Sequence, residues 1–82
     1  MQYSKGKILW VDDEIELLRP HILFLKEKGY DVETATNGED AIELVNEKRF
    51  DIVFLDEMMA GMGGLKTLST IKNIRPFIYL IV

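Results

Sequence analysis

Cysteine is absent from this 82-residue chain, which excludes a disulfide framework, a thiolate metal site and a cysteine nucleophile. The sequence also lacks an apolar run of the ~20 residues that a membrane helix needs. Its polar start has no apolar signal-peptide segment. A chain without cysteine suits a reducing compartment, so we expect a cytoplasmic protein.

Positive charge is also scarce. Ten Lys and Arg residues stand against fourteen Asp and Glu, which gives a formal net charge of −4. Nucleic acids and anionic membranes need a basic face, so we expect neither as a partner. Hydrophobic residues make up 48% of the chain and are evenly spread, which indicates a folded protein. Its length predicts a single domain, residues 1–82, with a modest core.

Short apolar runs alternate with helical patterns along the chain. The runs 7–11, 51–55 and 77–82 are typical of strands buried on both faces, and 30–36 alternates like an edge strand. Apolar spacings of three and four predict helices at about 14–28, from Asn37 to near Lys48, and from Leu65 until Pro76. We expect Pro20 to kink or loosen the first helix and Asn37 to cap the second. This βαβαβαβ order predicts an α/β protein with a parallel sheet.

Three carboxylates stand out, namely Asp12, Asp13 and Asp56. Each follows a strand of the buried type, and ligands of open α/β sheets bind at the carboxyl ends of such strands. If the first and third strands are neighbours, the three acids share one small site, where they repel one another. A hard divalent cation with oxygen ligands, such as Mg²⁺, relieves that repulsion.

The motifs around these acids resemble the receiver domain of bacterial response regulators. Segment 11–14 matches through its paired acids, and segment 55–59 matches at the end of the third strand. Segment 37–41, which opens the second helix, also matches, and Gly61, Gly64 and Leu65 extend the match. Motifs and spacing agree over almost the whole chain. The resemblance implies a flavodoxin-like fold with a parallel sheet in the order 2-1-3-4 and three helices.

The resemblance also implies a role for each matching residue. Asp56 is expected to accept a phosphoryl group from a sensor histidine kinase. Asp12, Asp13, Asp56 and the backbone carbonyl of Met58 are expected to hold Mg²⁺. In this role the chain is a phosphoacceptor and is not itself an enzyme.

The sequence departs from the family pattern in two places. Ala60 stands where the family usually has proline, and Gly63 stands where it usually has aspartate; both changes loosen the loop. In the family, a characteristic Ser/Thr and a further α-β-α portion follow the fourth strand, and this portion carries a characteristic Lys. This sequence does not contain that Ser/Thr or that portion. We therefore expect a truncated domain in which phosphorylation is slow and signal output is absent.

Other interpretations stay open. The chain is alternatively a truncated or engineered structural fragment that folds and self-associates without signalling. In that case we expect a homo-oligomer whose contact is the fourth strand or an uncovered sheet face beside the first helix. Either the fourth strands of two copies pair across a two-fold axis, or the copies exchange elements. Asp13 is alternatively a simple helix cap. A phosphohydrolase is disfavoured because such enzymes usually place a second acid at the position of Met58, and His21 is interpreted as an exposed surface residue.

Overall fold

A computed structural model describes residues 4–56, 58–59, 61 and 63–82. The strands are β1 (Lys7–Val11), β2 (Asp31–Ala35), β3 (Ile52–Leu55) and β4 (Tyr79–Ile81). They pair in parallel in the order β2-β1-β3-β4, which confirms the predicted flavodoxin-like topology. The helices are α1 (Arg19–Glu27), α2 (Gly38–Glu47) and α3 (Gly64–Ile74), and a 3₁₀ turn, Ile15–Leu18, precedes α1.

The sheet divides the core into two apolar clusters, because successive side chains of a strand point to opposite faces. The larger cluster lies on the face that α2 and α3 cover. Its fully buried members are Leu9, Val11, Ala41, Val45, Val53 and Ile71. The smaller cluster lies under α1 and contains Ile8, Ile15, Ile22 and Val32. The two central strands therefore contribute side chains to both clusters.

The first helix differs from its prediction in detail. One helix was expected over 14–28 with a kink near Pro20, but the segment is a 3₁₀ turn followed by α1. Pro20 lies in the first turn of α1. A proline is well accommodated there because the N–H groups of a first turn have no partner within the helix. The proline therefore marks the start of a helix.

The prediction for the fourth strand was partly wrong. The run 77–82 was expected to form a strand buried on both faces, but β4 covers only residues 79–81. Tyr79 is 73% exposed and Ile81 is 50% exposed, whereas Leu80 packs against the larger cluster. The prediction of a strand buried on both faces was wrong because the described residues cover only one face of β4.

The predicted cap of the second helix is confirmed. The side-chain Oδ1 of Asn37 accepts a hydrogen bond of 2.8 Å from the backbone N–H of Asp40. The Asn37 amide group also donates to the Asp40 carboxylate at 3.0 Å. Together these bonds satisfy a helix-start donor and fix where the loop after β2 ends.

We expect the substitution Asn37→Ala to lower the free energy of unfolding by about 1 kcal/mol, because the capping acceptor is lost. Urea denaturation followed by circular dichroism measures this change. Asn46→Ala, at an exposed position within α2, is the matched control and should have a smaller effect. Equal losses in the two variants would contradict the capping role.

A surface ion-pair network joins β1, β2 and the end of α2. Glu33 accepts a hydrogen bond from Lys48 Nζ at 2.8 Å and pairs with Lys7 Nζ at 3.4 Å. The hydrogen bond from Lys48 is the main reason that the pKa of Glu33 lies below its ordinary value of 4.5. The charge of Glu33 therefore stabilises the folded state more than the unfolded state.

Glu33→Gln should lower the free energy of unfolding at neutral pH by up to about 1 kcal/mol, the range for exposed ion pairs. Because the pKa of Glu33 is depressed on folding, this stabilisation is present above 4.5 and is lost as the pH falls through the folded-state pKa. The two proteins should therefore converge in strong acid. Glu43→Gln, at an exposed position on α2, is the control, and urea titrations across the acidic range provide the measurement. A difference that persists unchanged at low pH would rule out the ion-pair origin.

Candidate functional site

The pairing of β1 with β3 brings two acids to one edge of the sheet. Val11 and Leu55 are partners in the register, and Asp12 and Asp56 follow them directly. The backbone N–H of Asp56 donates to the carbonyl of Val11 at 3.0 Å, which continues the ladder one residue beyond β3. Backbone hydrogen bonds therefore place both acids at the carboxyl end of the sheet.

Asp13 completes a cluster of three carboxylates. One carboxylate oxygen from each of Asp12, Asp13 and Asp56 lies within 4.8 Å of the others. Asp12 and Asp56 are half-buried and Asp13 is exposed, so the cluster opens to solvent. The structure thus brings together the three side chains that the sequence singled out.

Two of the acids are oriented by their own backbone. Asp12 Oδ1 accepts a hydrogen bond of 2.8 Å from the N–H of Glu14, and Asp56 Oδ1 accepts one of 3.0 Å from the N–H of Met58. Such turns hold one carboxylate oxygen against the chain. The described residues donate no hydrogen bond to Oδ2 of either acid, which leaves that oxygen available to a ligand.

The interpretation of Asp13 as a helix cap does not agree with the structure. The residue that precedes the 3₁₀ turn is Glu14, and no side chain caps this turn. The exposed carboxylate of Asp13 lies in the acidic cluster. Its position is therefore better explained by the site than by the start of the helix.

The loop after β3 shows why one family aspartate can be replaced. Gly63 precedes α3 with φ of 80°, a left-handed conformation that favours glycine. No side chain caps α3, as the loss of the aspartate predicted. The hydroxyl of Thr67, which is fully buried, donates to the Gly63 carbonyl at 2.7 Å and anchors the helix start. Sequence reasoning did not identify Thr67 as part of this loop's anchor. The predicted effect of Ala60 on the loop concerns a residue outside the described part of the chain.

Met58 is the fourth predicted ligand of the cation. Its side chain is 81% exposed, while the neighbouring Met59 is buried. The expected contact involves the Met58 carbonyl, and its N–H is already fixed by the Asp56 turn. Coordination through this carbonyl stays a prediction.

The donor set fits Mg²⁺. The cluster offers only oxygen ligands, which hard divalent cations prefer, and its exposed side allows the ion to keep several water molecules. Three negative charges this close also repel one another, and a bound cation offsets that repulsion. The site therefore has both the ligand chemistry and the electrostatic need for a divalent ion.

Comparison with known proteins identifies the family. A family model described as the response regulator receiver domain matches residues 8–82. The chain belongs to this family. The receiver domain is 43% identical over 82 residues to the transcriptional regulatory protein ZraR of Klebsiella oxytoca. That match covers all of this chain and 18% of the relative, so this chain spans less than a fifth of that protein's length.

Solved structures agree with the receiver-domain fold. The response regulator TrrA of Thermotoga maritima, in complex with Mg²⁺-BeF, matches with a TM-score of 0.86 and 34% identity. The match covers 94% of this chain and 67% of that one. TrrA in complex with the histidine kinase ThkA matches with a TM-score of 0.83 and 33% identity, over 92% of this chain and 65% of that one. Among the described residues, no helix is both long and apolar enough to span a membrane.

Magnesium should stabilise the folded receiver domain, since the acidic cluster is assembled only on folding. A cation at 100 times its dissociation constant adds about 2.7 kcal/mol to the free energy of unfolding. Asp13→Asn should lose most of this gain and should raise stability slightly in EDTA, where it removes one of three repelling charges. Urea denaturation with and without Mg²⁺ measures both effects.

Asp31→Asn is the matched control for this experiment. Asp31 is an exposed aspartate at the start of β2, away from the carboxyl end of the sheet. This variant should keep the full response to Mg²⁺. An equal response in wild type and Asp13→Asn would exclude Asp13 from the metal site.

Proposed function

We propose that this chain is the phosphoacceptor domain of a two-component response regulator. Asp56 accepts a phosphoryl group from a sensor histidine kinase, and Mg²⁺ is held by Asp12, Asp13, Asp56 and the carbonyl of Met58. The observation that carries this proposal is the cluster of three carboxylates at the carboxyl end of β1 and β3. The similarity to TrrA, solved both with Mg²⁺-BeF and with a histidine kinase, supports it.

The geometry suits Asp56 as the nucleophile. Its Oδ1 is held by the N–H of Met58, so Oδ2 is the oxygen that attacks phosphorus. An O–P bond forms to Asp56 as the P–N bond of the phosphohistidine breaks, and the leaving imidazole nitrogen takes up a proton. When bound, Mg²⁺ offsets the negative charge that the attacking carboxylate and the phosphoryl oxygens share.

The neighbouring acids have a different task. Asp12 is half-buried, and the hydrogen bond that its Oδ1 accepts from the N–H of Glu14 fixes the orientation of its carboxylate. It is therefore suited to hold the cation at a fixed position. Asp13 is exposed, and its side chain lies on the solvent side of the cluster. We infer that these two residues position the cation and that Asp56 alone takes the phosphoryl group.

A hydrolase is the weaker alternative. The position two residues after Asp56, where such enzymes usually carry a second acid, is occupied by Met58, whose side chain is exposed. We therefore propose that the chain has no catalytic turnover of its own. We also propose that it acts in the cytoplasm, which its membership of the receiver-domain family supports. Slow phosphorylation of this 82-residue chain, absence of signal output and self-association also stay predictions.

Asp56→Asn should abolish phosphorylation, because the amide cannot form the acyl phosphate. Incubation with Mg²⁺ and a small phosphodonor, followed by mass spectrometry, should show at most one added phosphoryl group on the wild type and none on this variant. Beryllofluoride with Mg²⁺ should shift the amide signals of Asp56, Met58 and Val11 in heteronuclear spectra of the wild type. Asp31→Asn should behave like the wild type in both experiments.

Three outcomes would contradict the proposal. A phosphoryl group retained by Asp56→Asn would place the acceptor elsewhere. Continuous turnover of a generic phosphate ester, lost in Asp56→Asn, would favour the hydrolase. Absence of any spectral change at millimolar beryllofluoride would show that the site no longer binds a phosphoryl mimic.

A further inference from the structure

The pair Asn37–Gly38, at the start of α2, combines two groups that can react with each other. The side-chain amide of an asparagine is open to attack by the backbone nitrogen of the next residue, which makes asparagine thermally labile. Glycine obstructs this attack least, because it has no side chain. The other two asparagines, Asn46 and Asn73, are each followed by a residue with a long or branched side chain. Asn37 is therefore the most reactive amide in the sequence.

The folded chain holds the Asn37 amide by both of its polar atoms. Its Oδ1 accepts a hydrogen bond of 2.8 Å from the N–H of Asp40, and its Nδ2 donates to the Asp40 carboxylate at 3.0 Å. Attack by the next nitrogen requires the amide carbon to turn toward Gly38. An amide that is held on both sides cannot make this turn, so the cap of α2 also blocks the reaction.

The attacking group is held as well. The peptide group that joins Asn37 to Gly38 is fixed by its carbonyl, which accepts a hydrogen bond of 3.2 Å from the N–H of Ala41. Gly38 and Ala41 are both buried, so hydroxide has poor access to the proton on the Gly38 nitrogen. The reaction therefore needs the first turn of α2 to open.

This turn is a place where the fold opens easily. Both hydrogen bonds between Asn37 and Asp40 lie at the protein surface. Helix ends open locally at a lower free energy than the packed core does. The reactive state is thus reached without unfolding of the whole domain.

We propose that Asn37 is a site of spontaneous deamidation, which the cap of α2 suppresses while the helix start is closed. In the open state, hydroxide removes the proton from the Gly38 nitrogen, and this nitrogen forms a bond to the side-chain carbonyl carbon of Asn37. The amide C–N bond breaks, and its nitrogen takes up a proton from water and leaves as ammonia. Water then adds to a carbonyl of the resulting succinimide ring and opens it to aspartate or isoaspartate.

Either product weakens the start of α2. An aspartate still has an oxygen for the Asp40 N–H, but its second oxygen replaces the donor that lay 3.0 Å from the Asp40 carboxylate. An attraction thereby becomes a repulsion between like charges. Isoaspartate routes the backbone through the side chain and displaces the capping oxygen. The new charge lies two residues after β2, whose Ala35 carbonyl accepts from the N–H of Asp12 at 3.0 Å, so it joins the acidic end of the sheet.

Mass spectrometry of tryptic peptides, after storage at mildly alkaline pH, tests the proposal. Cleavage after Lys28 and Lys48 releases one peptide that contains both Asn37 and Asn46, so Asn46 is an internal control. The mass gain of an amide that becomes an acid should appear at Asn37 and not at Asn46. Its rate should be at least about fivefold higher in guanidinium chloride, where the cap is lost. A protease that cleaves before aspartate but not before isoaspartate should reveal isoaspartate, the signature of the ring.

Variants separate the cap from the rest of the fold. Asp40→Ala removes the acceptor of the Asn37 amide, so the folded chain should deamidate severalfold faster, with an unchanged rate in guanidinium. Glu43→Ala, at another exposed acid of α2, is the matched control and should change neither rate. Ile22→Val weakens the buried cluster under α1 without a contact to α2, and its folded-state rate should stay near that of the wild type.

Gly38→Ala tests the attacking nitrogen. The added methyl group obstructs the approach to the amide, so the rate should fall severalfold. This variant is measured in guanidinium, where its ability to fold has no influence.

Three results would overturn the proposal. A rate in guanidinium that Gly38→Ala leaves unchanged would show that the Gly38 nitrogen is not the attacking group. Equal rates for the wild type in buffer and in guanidinium would show that the cap gives no protection. Equal acceleration by Asp40→Ala and Ile22→Val would assign the protection to global stability in place of the cap.

Discussion

The parallel pairing of β1 with β3 is the interaction on which the rest of the molecule depends. These two strands fill both sides of the core, and their ends supply the acids of the site. Asp12 and Asp56 are 44 positions apart in sequence, yet the Val11–Leu55 register makes them neighbours. A slip of one residue would turn every side chain of a strand to the opposite face, so the packed core fixes the site as well as the fold.

The same pairing brings like charges together, which costs stability in the absence of a cation. In the unfolded chain the acids of β1 and β3 are far apart, so most of their repulsion arises on folding. Fully buried residues such as Leu9, Val11 and Val53 offset this cost on the α2–α3 side of the sheet. The receiver domain therefore combines a well-packed centre with an edge that concentrates negative charge, as ligand sites often do.

Much of this structure was predictable from the sequence. The strand order, the Asn37 cap and the meeting of three acids followed from periodicity, from spacing and from the resemblance to a known family. The errors have physical reasons. Pro20 lies in the first turn of a helix and does not bend one, because apolar spacing alone did not show that residues 15–18 form a separate 3₁₀ turn. The strand β4 was expected to be buried because apolar composition does not reveal which helices cover a strand. Thr67 gave no signal, since a hydroxyl that bonds to its own helix looks like any polar helix residue.

The backbone turns at Asp12 and Asp56 have a consequence for how such domains diverge. Each turn needs only one side-chain oxygen, which an amide supplies as well as a carboxylate does. The local shape of the site is thus separable from its charge. A descendant with asparagine at either position would keep the loop and the fold while losing one carboxylate of the proposed site, so the fold can outlast the proposed chemistry by a single substitution.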